Sequence, residues 1–182
     1  MRASVGLAAV VLAAPAPKTW VIRLNDLPKG FQTIKAHSYA LAAAAKRNQQ
    51  SVAQLRRWGF VTAYEADYGR AVRLTPTLKG PFVVQSAVSV YKATAGAKLS
   101  LARSSSGCRN GLSTELKTSV KIGDEVHLCR NLTSSNGVVV VVYAVLWRRG
   151  SHRGSLFVDG VRGGLTAAQV LALAKTQDSR MK

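Results

Sequence analysis

The spacing of apolar and polar positions along the chain predicts short strands interleaved with short helices. Lys18 to Leu24 alternates well enough for a first strand, and Asn25 to Phe31, punctuated by Pro28 and Gly30, follows as a turn. Ser38 is placed to cap a helix through Ala40 to Arg47, a run of good helix formers that Asn48-Gln49-Gln50 interrupts. Ser51-Val52-Ala53-Gln54 has capping-box form and opens a second helix, which Gly59 stops just after Trp58. Strict alternation from Phe60 to Tyr68 then predicts a strand with Phe60, Tyr64 and Tyr68 on its inner face and Glu65 and Asp67 on the other.

The β-branched run Phe82 to Tyr91 reads as the next strand, and Thr94 as the cap of a helix through Ala97, Leu101 and Ala102 that ends in Ser104 to Gly107. Leu116 to Val120 and Glu125 to Leu132 are expected as strands around a Gly123-Asp124 turn. Val138 to Arg149 is continuously apolar up to its terminal arginines and is the best candidate for the sheet centre. After the Gly150-Ser151 turn, Arg153 to Val158 should return antiparallel to it. Thr166-Ala167-Ala168-Gln169 has the form of another capping box. It should open a last helix that buries Ala167, Val170, Leu171 and Ala174. Strand-then-helix recurs near residues 82–105 and 138–180. No linker divides the chain, so 17–182 is expected to be a single α+β domain: a mainly antiparallel sheet with helices packed against it.

The first sixteen residues change the picture. Arg2 is a positive head, Ala3 to Ala14 an apolar stretch, and Ala14-Pro15-Ala16 a small-residue cleavage pattern; together 1–16 reads as a secretory signal peptide. An uncleaved anchor is the competing reading, but ~12 apolar residues fall short of the ~20 that span a bilayer. The expected location is extracytoplasmic, secreted or held at the cell envelope, with no transmembrane segment in the mature chain. In that setting Cys108 and Cys129, the only cysteines, are most simply a disulfide, and closing a loop of about 20 residues is worth ~3 kcal/mol. The rival is a metal site using His127 and Cys129, two apart on a strand. Such a site needs three or four ligands, which the scattered histidines do not supply, so no metal or cofactor is expected.

Charge adds a second constraint. Twenty-six Lys and Arg against eight Asp and Glu give a net charge of +18, which favours solubility and attraction to polyanions without specifying a fold. No nucleophile stands in a recognisable setting with a base and an orienting acid, and the Gly160 to Gly164 loop lacks the Lys of a phosphate-binding loop. His37, His127 and His152 sit in unlike contexts and are expected to be structural or solvated. Glu65 and Asp67 are the only acidic pair that suggests a site, and among so many cations they are expected to be neutralised surface charges. The remaining candidates for anion binding are Arg56 and Arg57 beside Trp58, and Arg148, Arg149 and Arg153 near Trp147, since arginine suits phosphate groups and a neighbouring Trp can stack.

Short motifs spread over most of the mature chain resemble a group of exported actinobacterial proteins: Asn25 to Phe31 (NDLPKGF), Arg57-Trp58-Gly59-Phe60 through Tyr64-Glu65-Ala66, Ser89-Val90-Tyr91, and Ala172 to Arg180 (ALAKTQDSR). That group has no established activity, so the resemblance implies export and assigns no site residue. The order of elements is similar to envelope sensor-like domains and to Mog1/PsbP-like lipoprotein domains, which are non-catalytic binding modules; the lipidation cysteine of the lipoprotein members is missing here. The expected function is a non-enzymatic binding or interaction module of the cell envelope, with its ligand unassigned. A polyanion-binding protein acting on teichoic acid, anionic lipid or nucleic acid is the first alternative, although sequence-specific nucleic-acid binding is not expected. A cryptic hydrolase is the second.

Overall fold

Antiparallel pairing joins seven strands into one sheet: β1 (Gln32–Tyr39), β2 (Phe60–Gly69), β3 (Pro81–Tyr91), β4 (Ser113–Leu116), β5 (Glu125–Ser135), β6 (Val138–Arg149) and β7 (His152–Val161). The computed structural model describes residues 16–109 and 113–182, so the signal-peptide reading of 1–16 lies outside the described residues except for Ala16. The spatial order is β1-β2-β3-β7-β6-β5-β4. Among the described residues, four α-helices accompany the sheet: α1 (Leu41–Arg47), α2 (Val52–Arg57), α3 (Thr94–Ser106) and α4 (Ala167–Arg180). The expected α+β architecture is therefore present, and β7 rather than β6 is the middle strand. The valine run of β6 still has its physical cause, because Val140, Val141 and Val145 are all buried, on alternating faces of the sheet.

One face of the sheet is covered over its central strands. Tyr68, Val84, Val88, Trp147, Leu156 and Val158 pack there beneath Val170, Leu171 and Ala174 of α4, which Thr166 and Gln169 start with the expected reciprocal cap. The N-terminal segment completes that cover. Residues 18–24 do not form the expected strand; two 3₁₀ turns, Pro17–Thr19 and Leu24–Asp26, flank the buried Trp20, Val21 and Ile22. Those apolar residues lie against the sheet instead of joining its edge. A buried polar chain fixes them: the Ile22 N–H donates to Ser86 Oγ at 2.9 Å, Ser86 donates to Gln177 of α4 at 2.8 Å, and the Tyr68 hydroxyl donates to the Ile22 carbonyl at 2.6 Å.

The opposite face is covered only in part. α1 and α2 pack over β1 and β2 through Ala44, Ala45, Leu55, Phe60 and Ala63. α3 lies over β3, β7 and β6, and the disulfide between Cys108 and Cys129, with Cα atoms 5.4 Å apart, ties its end to β5. Four further expectations need correction. Ser38 belongs to β1 and caps nothing, and α1 begins after Ala40 without a side-chain cap; α3 likewise has Ala93, not Thr94, at its cap. The fourth strand is Ser113–Leu116, not 116–120. A register shift between Phe60 and Thr62 turns Phe60 onto the face opposite Tyr68, so the three aromatics of β2 do not share a side.

Candidate functional site

Cross-strand register lays out the half-covered face row by row. Glu65 stands beside Ala87, Ala87 beside Ser155, and Ser155 beside Leu146; the next row runs Asp67, Gln85, Phe157, Ala144, Cys129, and the row toward α3 runs Ala63, Ser89, Arg153, Arg148. The centre of this grid is built from small residues. Ala87, Ser89, Ala144 and Ser155 leave a depression between the α1–α2 pair on one side and α3 with the disulfide on the other. The result is a cleft of about 440 Å³ with a mixed polar and apolar lining. That size and character suit a small organic ligand.

The wall on the β2 side carries an ion pair. Glu65 is 1% exposed, pairs with Arg47 of α1 and accepts a hydrogen bond from the Tyr39 hydroxyl at 3.2 Å. The expectation of a neutralised charge is met, but Glu65 is buried beneath α1 and not on the surface. Asp67 is also nearly buried, has an oxygen without a hydrogen-bond partner, and its carboxyl is pushed up by burial against the pull of Arg47 and Lys35. His37 is the register partner of Glu65, yet no hydrogen bond joins it to either carboxylate; its ring stands edge-on to Tyr39 at 4.2 Å, and burial depresses its pKa. The floor is different in kind. Ser89 and Ser155 are each 4% exposed, and neither hydroxyl makes a hydrogen bond among the described residues; nor does the Gln85 amide. All three line the cleft and are open to it, where solvent or a ligand can engage them.

The five candidate arginines are not gathered together. Arg56 and Arg57 are exposed at the end of α2. Arg148 donates to Asp124 at 2.7 Å and anchors the turn before β5, while Arg149 grips Asp178 of α4 with Nε at 2.8 Å and Nη2 at 2.5 Å. Burial works against the charge of Asp178, but the Arg149 fork and the Gly123 N–H outweigh it and hold the carboxyl below its ordinary range. Only Arg153 reaches the cleft, where its Nη1 donates to Ser104 and, at 3.4 Å, to Ser100 of α3. His127 lies between Glu115 at 2.7 Å and Glu125 at 3.4 Å, outside the cleft lining. Sequence reasoning missed Gln85, Ser89 and Ser155, because small polar residues in a strand carry no chemical signature until pairing aligns them.

No helix among the described residues is long and apolar enough to cross a membrane. No known family's sequence profile matches the chain, and no curated protein matches it. Among solved structures, the fold is similar to the extracellular domain of PknH from Mycobacterium tuberculosis, with a TM-score of 0.51 at 9% identity over 88% of this chain and 93% of that one. At that identity the likeness is one of fold: this chain shares its architecture with a domain that works outside an actinobacterial cell.

Proposed function

We propose that the chain is an exported, non-enzymatic module of the cell envelope that binds a small molecule in the cleft between α1 and α3. The observation that carries this reading is the floor: Ser89, Ser155 and Gln85 present hydrogen-bonding groups that no described residue engages, over a bed of alanines wide enough to admit a ligand. The disulfide and the fold shared with an extracellular domain support an extracytoplasmic location. A binding role is favoured over hydrolysis because neither floor serine has a histidine or carboxylate within hydrogen-bonding distance among the described residues. A polyanion-binding role is less favoured because two of the five candidate arginines hold acidic residues of the fold itself.

The test maps binding residue by residue. Amide NMR spectra of the exported chain are recorded against a set of polar fragments, for the parent and for Ala87→Trp, which fills the cleft at a half-buried position. Saturable shifts gathered at Gln85, Ser89, Ser155 and Phe157 in the parent and lost in the variant are the expected result. Shifts scattered over the surface, or unchanged by the bulky side chain, would remove the cleft from consideration.

A further inference from the structure

Charge balance around the cleft says which ligands it should take. Arg47 and Glu65 neutralise one another on the β2 wall. Arg153, on the opposite side, has no such compensation among the described residues. Its Nη1 hydrogen bonds go to the neutral hydroxyls of Ser100 and Ser104, its Nε is buried without a partner, and its Nη2 makes no hydrogen bond among the described residues. Its neighbour across the β6–β7 pairing is another cation, Arg148, which Asp124 already holds. A guanidinium placed this way is a cation short of acceptors in a half-buried site, where an unpaired charge is costly and an incoming anionic oxygen is correspondingly favoured.

We propose that the cleft is selective for a small organic anion whose carboxylate or phosphate group docks on Arg153. This rests on the cleft being a binding site at all. Ser89 is the register partner of Arg153 and Ser155 follows two residues on, about 7 Å along the same face of β7, so two hydroxyl donors flank the anion's position. From Arg153 to Phe157 the floor extends about 13 Å. Gln85 and the partly exposed ring of Phe157 stand side by side at that far end, offering one amide and one apolar face. The body that fits carries hydroxyl or amide groups and has the size of a single sugar ring or a dipeptide.

The experiment follows the arginine Nε–Hε signals of the full exported chain while N-acetylglycine, inorganic phosphate and the neutral N-acetylglycinamide are added in turn. Parent, Arg153→Gln and, as a control on an exposed cation, Arg57→Gln are compared. The expected result is a saturable shift of the Arg153 signal with at least one anion, at least tenfold weaker with the amide. The accompanying shifts at Ser89 and Ser155 should be lost in Arg153→Gln and kept in Arg57→Gln. A response to N-acetylglycine alone assigns a carboxylate, and one to phosphate alone assigns a phosphate. Equal binding of the neutral amide in the cleft would overturn the anion selectivity and leave the cleft as a site. No saturable change at Arg153 with any probe would also overturn it, while the fragment mapping at Gln85 and Phe157 judges the cleft separately. If Arg153→Gln fails to fold, the contrast between anion and amide in the parent still decides.

Discussion

Trp147 is fully buried because β7 offers it a residue with no side chain. A Cβ on Gly154, its register partner, would lie 2.2 Å from the Trp147 ring. Gly154→Ala therefore forces the indole or the strand to move, and overpacking of that kind costs about 1–3 kcal/mol. Urea unfolding of the variant should show that loss, and an unchanged midpoint would mean that the indole has room to turn. The dependence of Trp147 on Gly154 could not be read from the chain, since nothing in a Gly-Ser pair says which ring it faces. The same holds for Glu65. Its alternation with Tyr64 was legible, but its burial comes from α1 settling over it, and no local pattern encodes that.

At the level of elements, the N-terminal segment shows how a short apolar run is assigned by its partners. Trp20, Val21 and Ile22 look like strand residues, yet the polar atoms that receive them belong to Ser86 and Gln177, far away in sequence. Arg180 of α4 closes this arrangement with two bonds of 2.7 Å to Asp26 and one of 3.0 Å to the Val21 carbonyl. Arg180→Met should cost roughly 2 kcal/mol, the scale of a partly buried, charge-assisted hydrogen-bond set. It should also speed amide exchange at residues 20–26 before the rest of the fold, and uniform exchange would show that the segment is held by its apolar contacts alone. Edge strand β1 escaped detection for the opposite reason: most of its positions are exposed, and backbone pairing with β2 rather than any apolar pattern makes it a strand. The disulfide was legible from compartment and count. Replacing both cysteines by serine should cost about 3 kcal/mol for a closed loop of 21 residues, measured by denaturation. It should also loosen the α3 wall of the cleft.

For the whole molecule, six of the eight acidic residues face an arginine or histidine: Asp26, Glu65, Glu115, Asp124, Glu125 and Asp178. This sets the response to acid. Burial depresses the pKa of His152, which stands edge-on to Trp20, and of His37, so the stability they contribute is complete above pH 6.5 and falls as pH drops below it. For Asp26 and Asp178 burial opposes the charge, but their arginine hydrogen bonds prevail; their contribution persists above the unfolded value near 3.8 and is lost as pH falls through the lower folded values. Asp67 and Asp159, raised by burial, act with opposite sign and offset part of the loss when they take up protons. Urea midpoints from pH 8 to pH 3 should therefore decline in two stages, and His152→Gln should flatten the first. A single transition near pH 4 that His152→Gln leaves unchanged would contradict the assignment to histidine.

The general fold class could be read from strand and helix periodicities, whereas the cleft could not, because it is made by where helices are missing over Ala87, Ser89 and Ser155. Its role is tested most directly by adding the small-molecule extract of the producing cell's envelope to the parent and to Ala87→Trp, and measuring both melting temperatures. Cleft binding predicts that the extract raises the melting temperature of the parent and leaves Ala87→Trp where it was. An equal rise in both proteins, or no rise in either, would contradict it.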